Sequence, residues 1–298
     1  MIYPTNAATI ARAAELLRAG ELVAFPTETV YGLGANALDA QAVQRIYAAK
    51  GRPSTSPLIV HVDSIEMARG LAAEWPETAE KLAFAFWPGP LTLVVRKQPH
   101  VPDAATAGLP SVGLRMPAHP VALSLIAAAG VPLAAPSANR FTALSPTTAA
   151  HVERALGERV AMTLDGGPCM VGIESTVVSV TGARPVLLRP GMITAAQIEA
   201  VVGALGEAAP SSVAGHISPG LHPKHYSPRT PVLIAGRDDV SPGARLAHLD
   251  AAALPAAELY ATLHRLDEEG YDAILVTLPP DTPEWAAVRD RLTRAAER

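Results

Sequence analysis

Lys50-Gly51-Arg52-Pro53-Ser54-Thr55-Ser56-Pro57 gathers two fixed cations, three hydroxyls and a turn, and the residues flanking it decide the fold. Upstream, Val43, Ile46 and Tyr47 keep the i, i+3, i+4 spacing of a helix that buries one face, which predicts a helix over 39–49 with Lys50 as its last residue. Gly51 fits the left-handed cap position, and Pro53 forbids the helix from continuing. Downstream, Leu58-Ile59-Val60-His61-Val62 is short, β-branched and apolar. It reads as a buried strand whose alternation puts His61 on the same side as Ile59. The stretch is therefore a helix-to-strand loop carrying positive charge. Taken alone, it reads as a lysine that complements the helix dipole followed by a solvated arginine.

At 298 residues the chain suffices for one large domain or two unequal ones. The net charge of −4 is unevenly spread: residues 229–298 hold 8 basic and 12 acidic side chains, and the first 228 hold 16 of each. Neither part is a basic nucleic-acid-binding surface by composition. Cys169 is the only cysteine, which excludes an internal disulfide and a multi-cysteine zinc site and fits a reducing cytoplasm. Met1-Ile2-Tyr3-Pro4 lacks the basic residues and apolar core of a signal peptide. The longest apolar run, 121–135, is interrupted by Ser124, Gly130 and Pro132 and falls short of the ~18 to 20 residues of a spanning helix. A soluble cytoplasmic protein is expected, with no membrane contact.

Outward from the opening loop, apolar strands and helices alternate as in α/β architectures. Thr5 or Asn6 caps a first helix along Ile10, Ala13, Ala14 and Leu17, ending at Gly20, and a strand follows over 22–25. Residues 26–37 read as a long polar, glycine-bearing loop. Gly32, Gly34 and Ala37 match the spacing of a dinucleotide-binding fingerprint, but the strand ends at Phe25 and no acidic residue lies between Asp39 and Asp63 to hold a ribose. That fingerprint is rejected. Asp63 and Pro76 start helices running to about Ala73 and Phe86. Further strands are expected over 91–95, 111–115, 131–135, 160–164, 174–180 and 185–188, and further helices over 120–129, 148–156 and 194–202. Periodicity then disappears. The resulting division is a first domain over 1–203, a linker over 204–229 and a small acidic α/β unit over 230–298, with strands over 231–235, 245–249 and 273–278 and helices over 256–269 and 283–297. The linker carries an amphipathic, cationic insert, Ser218-Pro219-Gly220-Leu221-His222-Pro223-Lys224-His225-Tyr226-Ser227-Pro228, which a passive spacer would not require.

No phosphate-binding loop ending in Gly-Lys-Ser/Thr, no His-Glu-x-x-His and no Gly-x-Ser-x-Gly occurs, so a covalent nucleophile is poorly supported. What remains is a set of fixed donors, Lys50, Arg52, Arg115, Arg189, Ser56, Ser137 and Asn139, each at a strand end or in the loop beside one. In open α/β sheets that is where ligands bind. If the chain after Pro136 is extended, Ser137 and Asn139 point the same way, which suits phosphate or ribose oxygens; an Asx or Ser turn closing a loop fits the same residues. Ser175 and Arg189 read equally as an edge hydroxyl and a surface charge. The donor set suits an anionic substrate and a phosphoryl or nucleotidyl transfer, in which positioning and charge neutralisation supply most of the rate.

Lys50-Gly51-Arg52 with Ser137-Ala138-Asn139 resembles the K-x-R and S-x-N tetrad of the YrdC/Sua5 family. Residues 25–37, 57–61, 87–91, Arg115-Met116-Pro117, 174–178 and 188–191 resemble its other motifs in the family's order, and the linker and tail resemble its longer, Sua5-type branch. The resemblance implies a twisted, mixed, open α/β sheet linked to a small Rossmann-like C-terminal α/β domain. It also implies L-threonylcarbamoyladenylate synthesis: threonine, bicarbonate or CO2 and ATP, with Mg2+, give threonylcarbamoyl-AMP and pyrophosphate. The product then passes to the tRNA threonylcarbamoyl-transferase machinery for N6-threonylcarbamoyl modification of adenosine 37.

Carried over residue by residue, the resemblance implies catalytic roles for Lys50, Arg52, Ser137 and Asn139 and threonine binding at Thr29, His61, Arg115, Ala135 and Ser175. ATP would contact Lys50, Arg52, Ser56, Ser137, Asn139, Ser145, Arg189 and Tyr226, with Lys50 and Arg52 facing the phosphates and Tyr226 folding over the nucleotide. No side chain is assigned to a metal. The sequence departs from the family where Pro223 and Lys224 replace an aromatic residue and an arginine ahead of His225-Tyr226. Two other functions compete: a carbamoyl-transfer domain of the hydrogenase-maturation type, which shares the fold and tetrad, and an RNA-binding module. The chain lacks the acylphosphatase and zinc-finger segments of the former, and its neutral first domain predicts weak or absent direct tRNA binding.

Overall fold

The computed structural model describes residues 1–207 and 225–297. An edge strand, β1 (Ile2–Pro4), opens the chain, three residues too short for any alternation to reveal. Asn6 then caps α1 (Ala7–Arg18) through reciprocal hydrogen bonds with Thr9, and Ala13, Ala14 and Leu17 form its buried stripe. After β2 (Val23–Phe25) comes β3 (Gly32–Asn36), inside the segment that reads as a loop. The cause is steric. A Cβ on Gly34 would fall 2.7 Å from the Phe25 ring, so glycine admits the ring of the paired strand, a tertiary demand that its low strand propensity conceals.

Asp39 accepts hydrogen bonds from the N–H groups of Gln41 and Ala42 and starts α2 (Ala40–Lys50). Gly51 ends it at φ 62°, in the left-handed region, and the turn beyond delivers the chain to β4 (Ile59–His61). The next helix, α3 (Ile65–Leu71), starts from Ser64 and not Asp63, because the Ser64 hydroxyl accepts from the N–H of Met67 while donating to the Asp63 carboxylate. Pro76 precedes α4 (Glu77–Phe86), and β5 (Leu91–Arg96), a single turn α5 (Asp103–Thr106), β6 (Ser111–Arg115) and α6 (Pro120–Ala129) follow. β7 (Leu133–Ala134) is shorter than the apolar run around it; α7 (Ala149–Leu156), β8 (Met162–Asp165), β9 (Thr176–Ser179), β10 (Val186–Arg189) and α8 (Ala195–Val202) complete this part.

These ten strands form one mixed sheet in the order β1-β8-β2-β3-β7-β4-β6-β5-β9-β10. β8 runs parallel to β1 and β2, β4 to β6 and β5 to β9, and the other neighbours are antiparallel. Register matters most at β4 and β6, where His61 lies beside Arg115 and both strands end.

The second unit is a parallel sheet of β11 (Val232–Ile234), β12 (Leu246–Asp250) and β13 (Ala273–Thr277), with β13 central. Single 3-10 turns at 256–258 and 283–285 lead into α9 (Leu259–Glu268) and α10 (Ala286–Ala295). Its core, with Leu259, Leu263, Ile274, Val276 and Leu292, continues into Val30, Leu144 and Ile173 of the first unit and Tyr226 of the connecting segment. The two units thus share one apolar cluster. The Ser218-Pro219-Gly220 motif and the Pro223-Lys224 departure lie outside the described residues. Among the described residues no helix is long and apolar enough to cross a membrane.

Gly34→Val should displace the Phe25 ring and lower the unfolding free energy by about 2 kcal/mol. Urea denaturation reads this directly, and an unchanged midpoint would remove the close approach as the reason for glycine.

Candidate active site

The ends of β4 and β6, the 26–31 turn, the 135–137 segment, the start of β9, the end of β10 and the 225–226 segment surround one cavity. Thr29, Arg52, His61, Arg115, Ala135, Ser137, Ser175, Arg189 and Tyr226 all line it, so the fold gathers these expected site residues from distant parts of the chain. Lys50, Ser56, Asn139 and Ser145 are not in its wall. The cavity volume is about 50 Å3, room for a few water molecules, and it is partly open to solvent.

Arg115 is fixed on three sides. Its Nη1 donates to Thr29 Oγ1 at 2.9 Å, its Nε to the Gly89 carbonyl at 3.3 Å, and its Nη2 lies 2.8 Å from Glu28 Oε1. Thr27 braces the turn by donating to the Val30 carbonyl and meeting the Thr29 hydroxyl at 2.9 Å. Burial, reinforced by Arg115, pushes His61 down to about 3, so its imidazole is neutral at physiological pH, and its Nδ1 has no hydrogen-bond partner. Ser175 Oγ lies 2.8 Å from Thr92 Oγ1 and accepts from Arg189 Nη2 at 3.2 Å, while Arg189 also donates twice to the Ser175 carbonyl.

Arg52 donates Nη2 to the Pro57 carbonyl at 3.0 Å and keeps a buried, unpartnered Nε. Burial, with help from Arg189, brings its pKa down to about 10, against the opposing pull of Tyr47 and Tyr226, so it stays charged at neutral pH. Lys50, expected to face phosphates beside Arg52, lies behind the loop instead. It is 2% exposed, and its Nζ donates to the carbonyls of Ser137 and Asn139 and to Asn139 Oδ1. The reason is demand: an ammonium carries three donors and the bend after Pro136 turns its acceptors toward the end of α2. Burial, then Arg52, holds its pKa well below the usual lysine value.

Asn139 likewise departs from the extended-chain expectation. Its Nδ2 closes the bend by donating to the carbonyls of Arg140 and Ala143, so Ser137 faces the cavity and Asn139 does not. Ser56 contributes a carbonyl that accepts from the Tyr47 hydroxyl, and Ser145 donates its hydroxyl to Glu174 Oε1 at 2.6 Å. Tyr226 sits at φ 61°, a left-handed conformation that costs a bulky residue on the order of 1–3 kcal/mol, with its buried hydroxyl unpartnered. His225 packs edge-on against it at 4.1 Å; burial first, then the surrounding Arg52, Lys50, Arg189 and Arg291, pushes this imidazole well below its ordinary value.

Sequence reasoning missed Glu28, Glu174, His225 and Arg291. Glu174 and Glu28 stand next to or one residue from expected site residues, a proximity that was available to read. Arg291 had no such signal, because Asp290 and Arg294 around it have the look of a solvated helix. Among the described residues five cations are buried, Lys50, Arg52, Arg115, Arg189 and Arg291, against two buried carboxylates, Glu28 and Glu174.

A cavity at strand ends, walled by arginines and hydroxyls, is that of an α/β enzyme acting on a small anionic substrate. Residues 15–191 match the family model for Sua5, YciO and YrdC proteins, described as telomere recombination, and residues 193–297 match that of the threonylcarbamoyl-AMP synthase C-terminal domain. The chain belongs to the Sua5/YrdC family. The threonylcarbamoyl-AMP synthase of Bacillus subtilis is 44% identical over 98% of this chain and 94% of its own length. A crystal structure of Pyrococcus abyssi Sua5 complexed with L-threonine superposes with a TM-score of 0.91 at 37% identity, over 99% of this chain and 97% of that one. Full-length HypF, at 20% identity and a TM-score of 0.52, shares the fold over 62% of this chain and 30% of its own.

Glu174 sets an acid limit. Burial alone would raise its carboxyl above the ordinary 4.5, but Arg291, Arg189 and the Ser145 hydroxyl hold it below. A folded value below the unfolded one gives stabilisation that is complete above 4.5 and lost as pH falls through the folded value. Unfolding midpoints followed from about pH 7 to about pH 3 should fall more steeply for the wild type than for Glu174→Gln. Parallel curves would remove Glu174 from the acid response.

Proposed function

We propose that the protein joins L-threonine, bicarbonate or CO2, and ATP into threonylcarbamoyl-AMP with release of pyrophosphate. The observation that carries this reading is the excess of buried cations over buried carboxylates around one cavity. A buried excess of positive charge is costly even where carbonyl dipoles face it, so a site of this kind is completed by a polyanion.

Arg115, held by Glu28, Thr29 and Gly89, offers its guanidinium to the threonine carboxylate, and the unpartnered Nδ1 of neutral His61 is available to the amino acid's hydrogen-bonding groups. The neutral threonine amine attacks CO2, forming the C–N bond of a carbamate and releasing a proton. A carbamate oxygen then attacks the α-phosphorus in line, and the bond to the pyrophosphate oxygen breaks. Arg52 and Arg189, at the cavity wall, offset the charge that develops on the phosphoryl oxygens, and Ser137 offers its hydroxyl beside them. Lys50 acts through the loop it holds, keeping Ser137 in position.

Magnesium would enter on the phosphates of ATP. When bound there it would offset charge on the leaving pyrophosphate. The 225–226 segment, which lines the cavity, would cover a bound nucleotide. The product would pass to the transferase that modifies adenosine in tRNA. Direct tRNA binding by this chain is weak in this reading, given the balanced charge of residues 1–228. A cytoplasmic setting accords with a single cysteine, Cys169, whose buried thiol is pushed up to about 12, mainly by burial.

Purified protein given ATP, threonine and bicarbonate, without tRNA, should release pyrophosphate and the adenylate; folded protein that yields neither sinks the proposal. Arg52→Ala should lower kcat/KM by about 100-fold or more with an unchanged melting temperature, and undiminished turnover would remove Arg52 from the mechanism. Arg115→Lys should raise KM for threonine about tenfold, since an ammonium cannot reproduce the planar fork. Equal KM values would move the carboxylate elsewhere.

A further inference from the structure

The second unit contacts residues that form the cavity wall from behind it, Glu174 and Tyr226. Arg291 of α10, 1% exposed, donates Nε to Glu174 Oε2 at 2.9 Å, Nη1 to the Pro190 carbonyl at 2.8 Å and Nη2 to the Glu174 carbonyl at 3.4 Å. Its guanidinium carbon lies 5.4 Å from the centre of the Tyr226 ring. From α9, the Tyr260 hydroxyl lies 3.1 and 3.3 Å from the two Glu174 oxygens, and His264 Nε2 is 3.1 Å from the Ser145 carbonyl. Glu174 immediately precedes Ser175, and Pro190 immediately follows Arg189. One guanidinium therefore grips both chain segments that carry Ser175 and Arg189, together with the ring that covers them.

A domain contact alone does not call for this arrangement. Burying an ion pair costs desolvation, and well-packed apolar residues commonly serve stability as well or better. The apolar cluster shared by the two units already joins them. What an apolar side chain cannot do is fix the Glu174 carboxylate, two carbonyls and an aromatic face at once. We propose that Arg291 is a positioning residue for the reaction, through which the C-terminal unit holds Arg189, Ser175 and Tyr226 in the geometry that binds the nucleotide and its adenylate. Touching no substrate, it acts through Glu174, Pro190 and Tyr226. This rests on the proposed synthase reading.

The test measures initial rates of pyrophosphate release at varied ATP and varied threonine for the full-length wild type and for Arg291→Lys, Arg291→Met and Arg291→Met with Glu174→Gln, each melted first. The double variant removes the carboxylate left without its arginine and guards against a single variant that fails to fold. Arg291→Met is expected to raise KM for ATP and to lower kcat by about tenfold each, with Arg291→Lys recovering part of the loss. The double variant should regain thermal stability and keep the kinetic defect. Wild-type kinetics in a folded Arg291→Met, or a double variant that regains both stability and rate, would make the pair a domain contact only and overturn the proposal. A wild type that releases no pyrophosphate would sink the synthase reading instead, so the two failures are distinguishable.

Discussion

Everything around the cavity answers to an excess of buried positive charge. Among the described residues five cations and two carboxylates lie out of solvent, and the protein satisfies the difference largely with backbone carbonyls. Lys50 takes those of Ser137 and Asn139, Arg52 that of Pro57, Arg115 that of Gly89, Arg189 that of Ser175, and Arg291 that of Pro190. Carbonyl dipoles lower the cost of burying a cation without neutralising it. The recurrence of proline at these places has a physical reason. Proline brings an acceptor with no N–H to satisfy, so Pro57 and Pro190 serve cations, while Pro136 and Pro146 serve the N–H groups of Leu33 and Tyr31 and hold the start of β3 beside the site.

Two carboxylates then divide the site. Glu28 addresses Arg115 and belongs wholly to the first unit, whereas Glu174 faces Arg291 and Tyr260 from the second. This gives the smaller unit a part in the electrostatics of a cavity that its own backbone does not line. Arg291 is raised above its ordinary value even though burial pulls it down, because Tyr226, Glu174, Tyr260 and Asp290 together outweigh that pull. The charge of the pair is secure at neutral pH. Without Glu174, Arg291 would keep Asp290 at 2.9 Å, and without Arg291, Glu174 would keep the Ser145 and Tyr260 hydroxyls, so either loss weakens the network without isolating the remaining charge.

The readable part of the fold was the part set by local rules. The helix ending at Lys50, its left-handed Gly51 and the strand carrying His61 followed from spacing and caps, and the motif order led to the family. β3 was hidden because its glycines are chosen by a ring on β2, not by strand propensity. The orientations of Lys50 and Asn139 were equally out of reach, since each is decided by carbonyls presented by a bend whose shape the sequence states only as Pro136 and Ser137. Arg291 shows the limit most clearly. Asp290 and Arg294 pair at i, i+4 as on a surface helix, but Asp290 also lies 2.9 Å from Arg291, and the docking of α10 turns this face inward.

His225 and Tyr226 complete the electrostatic balance from the side of the connecting segment. Four cations surround His225, and the imidazole answers by remaining neutral. Two uncharged rings thus stand against positive charge and keep water out, with Tyr226 held in a costly left-handed conformation by Arg291 on one side and His225 on the other. The strain at Tyr226 and the unpartnered hydroxyl it buries are the cost at which this segment lines the cavity.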